Sequence, residues 1–90
     1  MFDRLIEEGE TLKNETQDAG VMGPYLAGEN YAKWIAKCSF LLERDYPKST
    51  LTKRFIELGQ KANGQSTSFY YQLLGMVKGL KEAEEEFPKS

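Results

Sequence analysis

Four residues in the middle of the chain, Lys33, Lys37, Phe40 and Arg44, have the types and the spacing to bind something. At helical pitch they share one flank, about 60 to 120° round from Trp34. Cations around one aromatic describe an anion or partner site: the charges attract phosphate or carboxylate, and Phe40 supplies a flat apolar face. Arg44 would orient an oxyanion through its planar fork, while Lys33 and Lys37 act as point charges. The plainer reading is a solvated face, with lysine stems covering the core edge and Phe40 tucked beneath them. A second polar set comes late in the chain, where the hydroxyls of Ser66, Thr67, Ser68, Tyr70 and Tyr71 would complete a nucleotide site with the cations.

Other chemistry is harder to build. The chain has no histidine, so neither a Ser-His-Asp nor a Cys-His arrangement is available. A metal would have to rely on the single cysteine, Cys38, plus carboxylates, and neither a metal nor a cofactor is expected. Gly20, Gly23 and Gly28 lack the strand, turn and helix setting of a phosphate-binding loop. The carboxylates fall on predicted helix surfaces with no partner to tune them. A binding protein is therefore expected, not an enzyme.

Ninety residues make one domain, spanning 1–90 and close to the size below which a single core struggles, so self-association would add useful burial. Residues 1–18 hold six acids and two bases, residues 33–61 seven bases and three acids, and the last ten residues four glutamates and two lysines. Acidic ends thus flank a basic middle, and a homo-oligomer is expected. A pI near 5.2 argues against duplex nucleic acid, which needs many phosphate contacts from a basic surface. Cys38 falls on an apolar stripe and reads as a buried thiol in a reducing compartment. No apolar run has the length of a membrane span, and MFDRLIEEGE lacks the apolar centre of a signal peptide. The expected location is the cytoplasm.

The elements that must position these residues are helices. In YAKWIAKCSFLLERDY, Tyr31, Trp34, Ile35, Cys38, Leu41, Leu42 and Tyr46 recur at three- and four-residue spacing and predict a core helix from Gly28–Asn30 to just before Pro47. A helix over Phe2–Asn14 buries Phe2, Leu5, Ile6, Gly9 and Leu12. Glu15–Gly28 reads as a long structured loop in which Val21, Met22, Tyr25 and Leu26 pack back over the core. A third helix over Thr50–Ala62 buries Leu51, Phe55, Leu58 and Ala62, with Ser49 or Thr50 as cap and Asn63-Gly64 as stop. The fourth, Phe69–Phe87, is ended by Pro88 and uses Phe69, Leu73, Met76, Val77, Leu80, Ala83 and Phe87, widened by Tyr70 and Leu74. Gly75 and Gly79 then face outwards, where close approach by another chain or a ligand would compensate for their low helix propensity. The fold class is all-α: a compact four-helix bundle with a long structured loop between helices one and two, helices two and four at its centre.

LIEEGETL, YAKW followed by CSFLLERDY, the spacing of Ser49 and Phe55, and LLGMVKGLKEAEEE together resemble a helical N-terminal module of uncharacterised bacterial and archaeal effector-like proteins, some associated with antiviral defence. The resemblance spans most of the chain through core positions. It implies a helical interaction module in antiviral defence or counter-defence. With the sequence stopping at Ser90 and no effector attached, the expectation is a free-standing binding protein that self-associates and takes a protein partner or a small anionic ligand. The alternative is a sponge that sequesters signalling cyclic nucleotides.

Overall fold

Each helix forms where the apolar stripe predicts one, and α2 and α3 stop at the proline and the Asn-Gly pair that follow them. The computed structural model describes residues 2–18 and 20–87, leaving aside the side chain of Met22. Helix α1 (Phe2–Thr11) tightens into a 3₁₀ turn at Leu12–Glu15. Strand β1 (Gln17–Asp18), a 3₁₀ turn at Gly20–Met22 and strand β2 (Pro24–Leu26) lead into α2 (Glu29–Asp45). Then follow α3 (Thr50–Ala62), β3 (Gln65–Ser66) and α4 (Thr67–Glu86). The described residues are mostly helical, with four α-helices and one small sheet among them.

The punctuation is local. Tyr46 leaves helical geometry before Pro47, and the Ser49 hydroxyl then accepts the Leu51 N–H at 3.1 Å to cap α3. Gly64 turns the chain out of α3 at φ 85° and donates its N–H to the Leu26 carbonyl at 2.9 Å. The bounds of α2 and α3 agree with the sequence. Helix α4 starts two residues before the expected Phe69, because Ser66 caps it by accepting the Ser68 N–H at 3.2 Å. Pro88, expected to end it, lies outside the described residues.

The expected loop between α1 and α2 carries two short strands instead. β1, β2 and β3 form an antiparallel sheet in that order, with Gln17 opposite Tyr25 and Tyr25 opposite Ser66. Leu26 is fully buried, whereas Val21 at the turn between the strands is fully exposed and does not pack back as expected.

Helices α1 and α3 each pack on both α2 and α4. In the middle, Tyr31 and Trp34 of α2 meet Tyr70 of α4 edge-on with ring centroids 6.2 and 6.4 Å apart, and Phe55 of α3 lies 6.3 Å from Trp34. Two buried donors tie α1 to this cluster: Trp34 Nε1–H donates to the Leu5 carbonyl at 2.7 Å and the Tyr70 hydroxyl to the Gly9 carbonyl at 2.5 Å. Gly9 permits the approach, since a Cβ there would stand 2.8 Å from both Leu74 Cδ1 and Trp34 Cζ2. Gly75 and Gly79 are the opposite case, exposed with nothing within 4 Å of a Cβ.

Phe87, expected in the α4 stripe, is instead 76% exposed. Near its start α1 reaches α4 through the ion pair of Asp3 with Lys81. Phe87 lies about 9 Å further on at helical rise, past the end of α4 at Glu86.

Two outcomes follow for stability. Gly9→Ala forces Trp34 or Leu74 to move and should destabilise by about 1 to 3 kcal/mol, whereas Gly79→Ala should stabilise by about 0.5 to 1 kcal/mol. Urea denaturation of both variants checks the contrast, and the same sign for both would refute it. The second outcome concerns alkali. Burial pushes the Cys38 thiol from 9.0 up to about 12 and the Tyr70 hydroxyl from 10.0 up to about 12. Above pH 9 the unfolded chain loses protons that the folded chain keeps, so this stability is complete below pH 9 and lost as pH rises towards 12. The slope should be about 1.4 kcal/mol per pH unit for each group. A urea midpoint unchanged between neutral pH and pH 11 would show that these groups are not buried.

Candidate functional site

Lys33, Lys37, Phe40 and Arg44 lie on the outward flank of α2, since the stripe centred on Trp34 turns the opposite side inwards. Phe40 is not tucked under the lysines: it is 67% exposed, and the Arg44 guanidinium lies 5.9 Å from its ring centroid. Each cation of the set has a carboxylate. Lys33 reaches Glu29 at 3.5 Å, Lys37 reaches Glu8 of α1 at 2.8 Å, and Arg44 Nε donates to Asp45 Oδ1 at 3.0 Å. The hydrogen bond and charge of Asp45 raise the affinity of Arg44 for its proton further.

The Lys37–Glu8 pair divides the flank into two shallow grooves. One, of about 560 Å³, has Leu5, Ala36, Phe40 and Leu41 as apolar lining and Arg4, Glu8, Lys37 and Arg44 at its edges. The other, about 250 Å³, runs between α1 and the start of α2 past Glu8, Glu15, Asn30, Lys33 and Lys37. Sequence reasoning missed Arg4 and Glu8, which come from a helix some thirty residues earlier. The only signal was their place on α1's polar face.

The late hydroxyls do not join these grooves, neither of which contains a residue of Ser66–Tyr71. Ser66 is occupied as the α4 cap, and Thr67 is buried. Ser68 is exposed, and Tyr71 is exposed with its ring 4.9 Å from that of Tyr70. Tyr70 has to be withdrawn as a ligand-binding residue: it is wholly buried, and its hydroxyl donates to the Gly9 carbonyl.

The groups with the largest proton-affinity shifts that burial causes, Tyr31, Cys38 and Tyr70, are core residues. Burial holds the Cys38 thiol protonated, the reverse of what a nucleophile requires. The flank offers an aromatic and a guanidinium over an apolar floor, edged by mixed charge.

No protein-family model matches the chain, and neither a curated protein nor a solved structure matches it.

Because Phe40 is mostly exposed, Phe40→Ser should change stability by less than about 0.5 kcal/mol. Urea denaturation measures this, and a loss above about 2 kcal/mol would make Phe40 a structural residue.

Proposed function

We propose that the chain is a four-helix bundle acting as a non-enzymatic interaction module, and that the Phe40 groove seats a segment of a protein partner. The observation that carries this is Phe40 itself, 67% exposed beside Arg44 over a floor of Leu5, Ala36 and Leu41. Aromatic residues and arginine are the types that dominate protein-binding energy when a partner excludes water around them. The electrostatics favour a protein over a small anion. A phosphate would have to compete with Glu8, Glu29 and Asp45 for the cations that already pair with them. A peptide segment can instead place apolar atoms on Phe40 and exchange partners at the rim.

A second reading keeps the same platform for a signalling nucleotide, with a base on Phe40 and phosphates at Lys33 and Lys37. The Phe40–Arg44 stack favours it. The separate placement of Ser66–Tyr71 weakens it. The resemblance to modules of defence-associated effector proteins is what suggests antiviral defence or counter-defence as the setting of either role. The buried single cysteine fits a cytoplasmic setting, and among the described residues no helix is long and apolar enough to cross a membrane.

A photo-reactive benzoylphenylalanine at position 40, activated in cells, should join the chain to one discrete protein, and Arg44→Glu should abolish that adduct. An adduct pattern unchanged by Arg44→Glu would remove the groove from the function. A nucleotide retained in native mass spectrometry of freshly purified protein, with no protein adduct, would replace the first reading with the second.

A further inference from the structure

We infer that the occupant of the Phe40 groove is a second copy of this chain, which inserts the acidic, aromatic end of its α4: Glu82, Glu85, Glu86 and Phe87. The inference rests on reading that groove as a protein-docking site. It starts from two exposed phenylalanines in surroundings of opposite charge. Phe40, 67% exposed, is edged by Arg4, Lys37 and Arg44. Phe87, 76% exposed, follows a run of glutamates.

Among the described residues, the pairing inside one chain leaves both patches unbalanced. Arg4 and Lys37 lean on the same carboxylate, Glu8, at 3.6 and 2.8 Å, so the groove keeps a positive excess. At the end of α4, among the described residues, Glu85 pairs only with Lys81, at 3.8 Å, and Lys81 also serves Asp3. The last turn of α4 contains no base, although a helix C-terminus favours cations. Glutamates there work against their own helix, and a cationic surface on another molecule would reverse that penalty.

The two patches adjoin at Arg44. A groove lined by Arg44, Tyr46, Leu80, Ala83 and Phe87 meets the Phe40 groove at that residue, but Phe87 lines only the former and Phe40 only the latter. A chain therefore does not fill its own groove. A two-fold axis beside Arg44 would lay each α4 end on the other copy's groove, giving two equivalent contacts and a closed dimer.

Sedimentation velocity of the full chain over the micromolar range should give twice the 10.3 kDa mass. Reversing the groove with Arg4→Glu and Arg44→Glu, or the tail with Glu82→Lys, Glu85→Lys and Glu86→Lys, should weaken association by more than about tenfold, because each variant opposes like charges. Circular dichroism checks that both stay helical. Mixing the two should restore the dimer, since the acidic groove then meets the basic tail. A wild-type monomer, a dimer that survives either reversal, or folded variants that fail to recombine would overturn the inference. A monomer that still cross-links another protein at position 40 would leave the docking reading intact and remove only the second copy.

Discussion

The structure depends on how closely α1 can approach Trp34. An indole packs against the α1 backbone only because Gly9 has no side chain, and its N–H finds the Leu5 carbonyl one turn earlier. The same approach lets Tyr70 reach the Gly9 carbonyl from α4. Two large aromatics thus enter the core with their polar atoms satisfied, as burial demands. With α1 held at this depth, its acidic face comes within reach of both neighbours. Glu8 meets Lys37 of α2, while Asp3 and Glu10 meet Lys81 and Lys78 of α4. Exposed pairs of this kind add little stability. They also bring Arg4 and Glu8 to the edge of the Phe40 groove, so the site inherits its shape from a glycine in the core.

The small sheet acts at the other end of the molecule. Its strands are too short to be stable alone, and they hold because the chain ties them to helix ends. Asn63, at the end of α3, accepts the Gly28 N–H at 3.0 Å and donates to the Gly28 carbonyl at 3.3 Å. Gly28 precedes α2 at φ 130°, a conformation that side-chain-bearing residues rarely adopt, so this tie sets the direction in which α2 starts. The orientation of the flank carrying Lys33, Lys37, Phe40 and Arg44 is thereby defined from both ends, by the sheet at its start and by Pro47 at its finish.

Legibility in the sequence follows the range of the interaction. Helices α2 and α3 end at Pro47 and Asn63-Gly64, whose effects are confined to their neighbours, and their bounds could be read directly. The strands could not: they are too short to carry an alternating pattern, and Tyr25 pairs with Ser66 from beyond both α2 and α3. Helical periodicity placed Tyr70 on the edge of the α4 stripe, which made its hydroxyl look accessible. Only the position of α1, fixed by Gly9, shows that this hydroxyl is consumed inside. The glycines were misleading for the same reason. Gly75 and Gly79 stood out by spacing, while Gly59, which a Cβ would bring to 2.7 Å from Ile35 Cγ2, had no pattern to mark it. The cationic flank was legible as a set, but not its neutralisation by Glu8 from a distant helix.

That neutralisation is the step that turns a charged stripe into a different kind of surface. Lys33, Lys37 and Arg44 taken alone suggest an electrostatic trap for phosphate. With carboxylates beside them, much of their field is cancelled at short range, and what remains to distinguish the flank is the apolar area of Phe40 with Leu5, Ala36 and Leu41. In the proposed docking role, a partner would gain from covering that area whatever the salt concentration, whereas the residual positive charge at Arg4 would act over about one Debye length and select which partner approaches. Binding strength would then come from the aromatic and selectivity from the rim, a division that suits docking of a protein segment better than capture of a free anion.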